Sequence, residues 1–109
     1  MNEYIYAGEV GTIFEIIMKD PTTDLPIDIS AATLKKIFFQ DPSGNKEGRD
    51  AVFLTDGKDG IIQYTSVEGD IDQEGIWKMQ GYIEIGDSHL SGGIVPFPVL
   101  DTLYVEPAP

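Results

Sequence analysis

Apolar and polar side chains alternate with a period of two along most of this chain. In residues 12 to 20, TIFEIIMKD, the residues Phe14, Ile16 and Met18 share one face. Glu15 and Lys19 take the other, together with Ile13 and Ile17, which is strand periodicity. LKKIFFQ repeats the pattern, with Ile37 and Phe39 alternating with Lys36, Phe38 and Gln40. RDAVFL, residues 49 to 54, reads as one further strand, and GIIQYTS as another with Ile62 and Tyr64 on one face. The longest run is GIWKMQGYIEIG. There Trp77, Met79, Ile83 and Ile85 oppose Lys78, Gln80 and Glu84, and Gly81 lets a neighbour approach closely, so this segment is predicted to be the central strand.

Turn chemistry separates these runs. PTTDLPIDIS reads as an irregular connection, and Ser30-Ala31-Ala32-Thr33 as a short helical turn capped by Ser30. DPSGNKEG and TDGKDG are hairpin signals, and VEGDIDQEG and GDSHLSGG read as loops. In IVPFPVLDTLYVE, Pro96 and Pro98 forbid their own ladder bonds, which predicts an edge or bulged final strand. With a short piece around Tyr4 to Tyr6, this makes about seven strands, the pattern of an all-β, antiparallel β-sandwich. Residues 1–109 are expected to form one domain with a short tail at about 106–109.

Charge narrows the range of partners. The 7 basic residues against 19 acidic ones leave a net charge of -12, which repels phosphate backbones and anionic lipid surfaces. No nucleic-acid or membrane partner is therefore expected. The chain contains no cysteine, so disulfides, thiolate catalysis and thiolate zinc sites are out of reach. The start MNEYIYAGEV lacks the basic and apolar segments of a signal peptide.

Candidate chemistry is sparse, and no catalytic residue is assigned. The only histidine, His89, lies in a Ser/Gly-rich stretch without a second imidazole to complete a metal cluster. Glycines punctuate turns and form no phosphate cradle. Asp70, Asp72 and Glu74, followed by Gly75, match the start of a calcium loop, although the closing bidentate glutamate of an EF-hand falls on Gly81. A looser calcium site would add Asp56 and Asp59 if the two acidic loops meet. The competing structural reading makes Asp72 to Trp77 a corner: the carboxylate pins the loop, glycine allows the bend and the aromatic enters the core. Tyr4, Tyr6, Phe38, Tyr82 and Tyr104 are candidates for a sugar-stacking or protein-contact face.

Taken in order, DLPIDISAATLKKIFFQDPSG, DGKDGIIQYTS and GDIDQEGIWKMQGYIEIG resemble small tailed-bacteriophage structural proteins related to the N-terminal module of baseplate upper proteins. The resemblance spans residues from about 9 to 105 and departs in the link DLPIDIS, where Ile29 replaces a leucine and a proline is inserted. It implies an immunoglobulin-like sandwich in a virion (tail, baseplate or neck) that assembles with other virion proteins and with copies of itself, without catalysis. The alternative is a calcium- or carbohydrate-binding adhesive module of the same fold class.

Overall fold

The computed structural model describes residues 4–103, so Tyr104 and the tail expected at 106–109 lie outside the described residues. The chain forms eight strands among the described residues: β1 (Ile5–Tyr6), β2 (Ile13–Ile17), β3 (Leu34–Gln40), β4 (Lys46–Asp50, which begins inside the segment read as the DPSGNKEG turn), β5 (Val52–Phe53), β6 (Ile61–Thr65), β7 (Gly75–Ile85) and β8 (Ser88–Leu100). No helix forms among the described residues. One sheet has five strands in the order β1-β8-β7-β3-β4, and the other has three in the order β2-β6-β5. The all-β class holds. The pairing is mixed rather than wholly antiparallel, because β1 runs parallel to β8 through Ile5 opposite Val99 and Tyr6 opposite Leu100.

The two sheets bury the faces that the alternation marks. Ile16, Met18, Ile29, Ile37, Ala51, Ile62 and Ile83 form one cluster; Phe14, Ile71, Trp77 and Val99 form a second. Phe39, Tyr64 and Met79 pack against both. Gly81 has the predicted role: a Cβ there would come within 2.8 Å of Met18 Sδ and 3.0 Å of Ile16 Cγ2, so its bare backbone is what lets the sheets close.

Four expectations are corrected. RDAVFL is not one strand. The chain leaves the five-stranded sheet at Asp50 and joins the other at Val52, and buried Ala51 is the crossing point, its N–H donating to Lys35 O at 3.0 Å. A small side chain fits where the backbone itself passes between layers. Ser30 caps no helix: its N–H and hydroxyl both donate to Asp28 Oδ1, at 3.0 and 2.7 Å, and a single turn closes from Ala32 N–H to Ile29 O at 2.9 Å. An Asx turn satisfies the backbone without helical propagation.

GDSHLSGG is not a loop either. Only Gly86 and Asp87 turn, and Gly86 has φ 56° at the first central position, the geometry of a tight hairpin whose twist suits the flanking strands. Gly92 and Gly93 instead mark a bulge, where the pairing slips between Gln80 opposite Ile94 and Tyr82 opposite Ser91. Finally, among the described residues β8 is an edge for most of its length but not at its end, where β1 covers Val99 and Leu100. Trp77 faces Phe97 in this hairpin, with Lys78 opposite Pro96 and Ile76 opposite Pro98. Since proline has no N–H, those flanking pairs cannot be the bonded ones, and both prolines turn their donor-free nitrogens toward the open edge.

Candidate functional site

Where β4 diverges from the loop after β6, a cleft of about 620 Å³ opens between the two sheets. Its floor is aromatic. Phe14 meets Phe39 edge-on at 5.1 Å and Phe97 at 5.3 Å, and Trp77 stacks with Phe97 at 6.2 Å. Tyr64 completes it, 6.0 Å from Phe39. These rings come from β2, β3, β6, β7 and β8, so the floor exists only once both sheets have assembled. The rim is charged, with Asp41, Glu47, Glu68, Asp70 and Asp72 against Lys46 and Arg49.

Asp70 organises the rim. Its Oδ2 accepts a short hydrogen bond from the Tyr64 hydroxyl and a second from Val67 N–H at 2.8 Å. Its Oδ1 lies 3.0 Å from Arg49 Nη2, tying the β4 wall to the loop wall, and the aspartate side chain is only 10 % exposed. Arg49 also holds Glu47 at 2.6 Å. Burial, then the hydrogen bond to Asp70 and the nearby negative charge, push the Tyr64 phenol up to about 12.

The corner at the base of the cleft therefore differs in detail from expectation. Gly75 supplies the bend at φ 129° and Trp77 enters the core, with its indole N–H donating to Gln73 O at 3.0 Å. The pinning carboxylate, however, is Asp70 and not Asp72, which is exposed on the rim. A second clasp joins this corner to the turn after β3. Gln73 donates to Asp41 Oδ2 at 3.1 Å and accepts from Ser43 Oγ at 3.0 Å, and Pro42 packs where a Cβ on Gly75 would stand. Burial alone would raise the Asp41 carboxyl, but hydrogen bonds from Asn45, Ser43 and Gly44 outweigh it and hold the group below its usual range.

The carboxylates considered for calcium are dispersed. Asp70 is engaged by Tyr64, Val67 and Arg49, while Asp72 and Glu74 are exposed. Asp56 and Asp59 belong to the loop before β6 and Asp70 to the loop after it, so the strand Ile61–Thr65 separates them. Asp59 instead binds its own turn, accepting from Thr55 Oγ1 at 2.8 Å and Ile61 N–H at 3.0 Å; these bonds hold it below the usual carboxylate range. Among the described residues, no three His, Asp or Glu side chains gather as a metal site.

His89 lies on the outer face of the five-stranded sheet. Its Nδ1 is 3.1 Å from the Tyr82 hydroxyl, which donates to Glu84 Oε2 at 2.6 Å, and among the described residues no serine hydrogen-bonds to the ring. That hydrogen bond, with some burial and the charge of Glu84, raises the Tyr82 phenol. Phe38 stands edge-on to Tyr82 at 5.9 Å, whereas Tyr4 and Tyr6 belong to the far side of the sheet at β1. The candidate aromatic face is therefore divided. The Tyr64–Asp70–Arg49 network escaped sequence reasoning because its members lie on two strands and a loop; the only local signal was the acidic loop itself. No protein-family model matches the chain, and no curated protein matches it significantly.

Proposed function

We propose that this chain is a structural component of a tailed-phage particle, in the tail, baseplate or neck, and that it works by protein–protein assembly. The phage setting rests on the motif order described above. The observation that carries assembly is the outer face of the three-stranded sheet. Ile13, Ile17 and Val52 are 59, 45 and 58 % exposed there, beside half-buried Ile61. Glu15 is the only charged residue among the outward positions of β2, β5 and β6, on a chain with 19 acidic residues. Glu15 stands between Ile13 and Ile17, opposite Gln63, so the face is an exposed apolar surface with one central charge, and exposed apolar area of this kind supports a contact surface.

The strand order supports the immunoglobulin-like reading. β2, β6 and β5 correspond to strands B, E and D, and β8, β7, β3 and β4 to G, F, C and C′ of a variable-type domain. The tryptophan departs from that pattern, standing on the strand equivalent to F instead of C. The test is mass spectrometry of purified particles from the source, with negative-stain imaging of particles carrying a tagged copy. The chain is expected in fixed stoichiometry at one position on the tail axis; particles that never contain it overturn the proposal.

A further inference from the structure

We infer that two copies of this chain join edge to edge through β4, antiparallel about a two-fold axis at Gly48, so that the five-stranded sheets run on as one. Among the described residues β4 pairs with β3 on one side only, which leaves the outward backbone groups of Lys46, Gly48 and Asp50 open along the other. Its five residues, Lys46, Glu47, Gly48, Arg49 and Asp50, carry the signs plus, minus, none, plus, minus. Read against a reversed copy, every charge meets its opposite. Lys46 faces Asp50 of the second copy, Glu47 faces Arg49, and Gly48 faces itself.

The two-fold axis keeps each pair on one face. Lys46, Gly48 and Asp50 stand opposite Gln40, Phe38 and Lys36 on the outer side of the sheet, and Glu47 and Arg49 opposite Phe39 and Ile37 on the inner side. Opposite charges directly across a ladder stabilise it, and like charges destabilise it. A slip of one residue sets Lys46 against Arg49, or Glu47 against Asp50, and also turns the faces over. The pattern thus selects one register.

A charged edge is the common guard against unwanted strand pairing, and charge alone would serve that purpose. Two features go beyond a guard. The signs are self-complementary at each charged position, and Lys46 makes no ion pair within its own chain among the described residues, although Lys36, at the opposite end of the β3–β4 ladder, holds Asp50 at 2.9 Å. The centre of the contact is also prepared. Phe38 lies over Gly48 so closely that a Cβ there would come within 2.6 Å of the ring, and Phe38 is 40 % exposed. Pairing at Gly48 brings the two Phe38 rings to the axis, where each covers the other's open side.

An edge contact of five residues is smaller than a standard interface, so the dimer is weak and concentration-dependent in solution, and gains from many copies in a particle. It rests on the assembly reading for its purpose and not for its existence. A chain that stays monomeric overturns this contact and leaves the particle experiment's answer standing.

The test is sedimentation velocity of the full chain over a concentration series in physiological salt. Wild type is expected to show a reversible monomer–dimer equilibrium. Lys46→Glu and Asp50→Lys, each alone, set two like-charge pairs at the contact and should weaken it roughly tenfold. An equal mixture of the two variants restores both pairs in the heterodimer and should regain wild-type affinity to within about threefold. Circular dichroism melts verify that each variant is folded. A wild type that is monomeric up to millimolar concentration, a dimer indifferent to either substitution, or a mixture no tighter than its components overturns the inference.

Discussion

Tyr64 is the residue through which the cleft can be interrogated. Its hydroxyl donates to Asp70 at a point where both groups are partly withdrawn from water, and deprotonation would set a phenolate against a carboxylate. The folded chain therefore holds this proton where the unfolded chain, titrating near 10, has already released it. Stability should be unaffected by this group below about pH 10 and should fall as pH rises toward 12. Tyr82 titrates in the same direction, so the measurement is a difference: melting temperature against pH for wild type and Tyr64→Phe. The variant should be less stable at neutral pH by about 1 kcal/mol, from the lost hydrogen bond, and its alkaline decline should be shallower. Parallel curves would refute a folded-state shift at Tyr64.

At the scale of elements, β8 poses the problem of a long open edge. From Ser88 to Pro98 it is paired on one side only among the described residues, and it exposes Ile94 and Val95. Such an edge templates aggregation unless something blocks it. Pro96 and Pro98 do so by presenting no N–H to an incoming strand, and the Gly92–Gly93 bulge bends the rest. Pro96→Val with Pro98→Val should leave the native melt within about 1 kcal/mol while shortening the lag of aggregation followed by light scattering and thioflavin T. An unchanged lag would show that the prolines do not guard this edge.

This element also shows where sequence reading ends. Alternation located the buried faces of β2, β3, β6 and β7 because each is half in water and half in the core, and that condition writes itself into every second residue. The segment 88–91 was hidden among serine and glycine, which mark loops by composition but here fill an edge strand and its bulge. The crossing at Ala51 left no signal in RDAVFL, because changing sheets needs only one small residue in an otherwise continuous strand pattern. The candidate site divides likewise. The corner was legible through Gly75 and Trp77, but the choice of Asp70 over Asp72 depends on Tyr64 and Arg49, which are distant in sequence.

For the whole molecule, the dominant electrostatic fact is imbalance. With 7 cations and 19 anions, even complete pairing of every lysine and arginine would leave a dozen carboxylates without a partner of opposite charge. The local pairs are mostly exposed; Lys36–Asp50, Arg49–Glu47 and Lys19–Asp24 each have at least one partner largely in solvent and contribute about 0–1 kcal/mol. Salt weakens those pairs, but it also screens mutual repulsion among loops on every side of the domain, and repulsion acts between many more charges. Melting temperature should therefore rise as sodium chloride increases from about 10 to 150 mM, over which the screening length shrinks from roughly 30 to 8 Å. Arg49–Asp70, the least exposed of the pairs, is screened least, and Arg49→Gln should lower the curve at every salt concentration. A melting temperature that falls with salt would mean that the paired charges outweigh the surplus. Replacing sodium chloride with a neutral osmolyte at equal osmolality separates screening from solvent exclusion, since only the salt should reproduce the steep early rise.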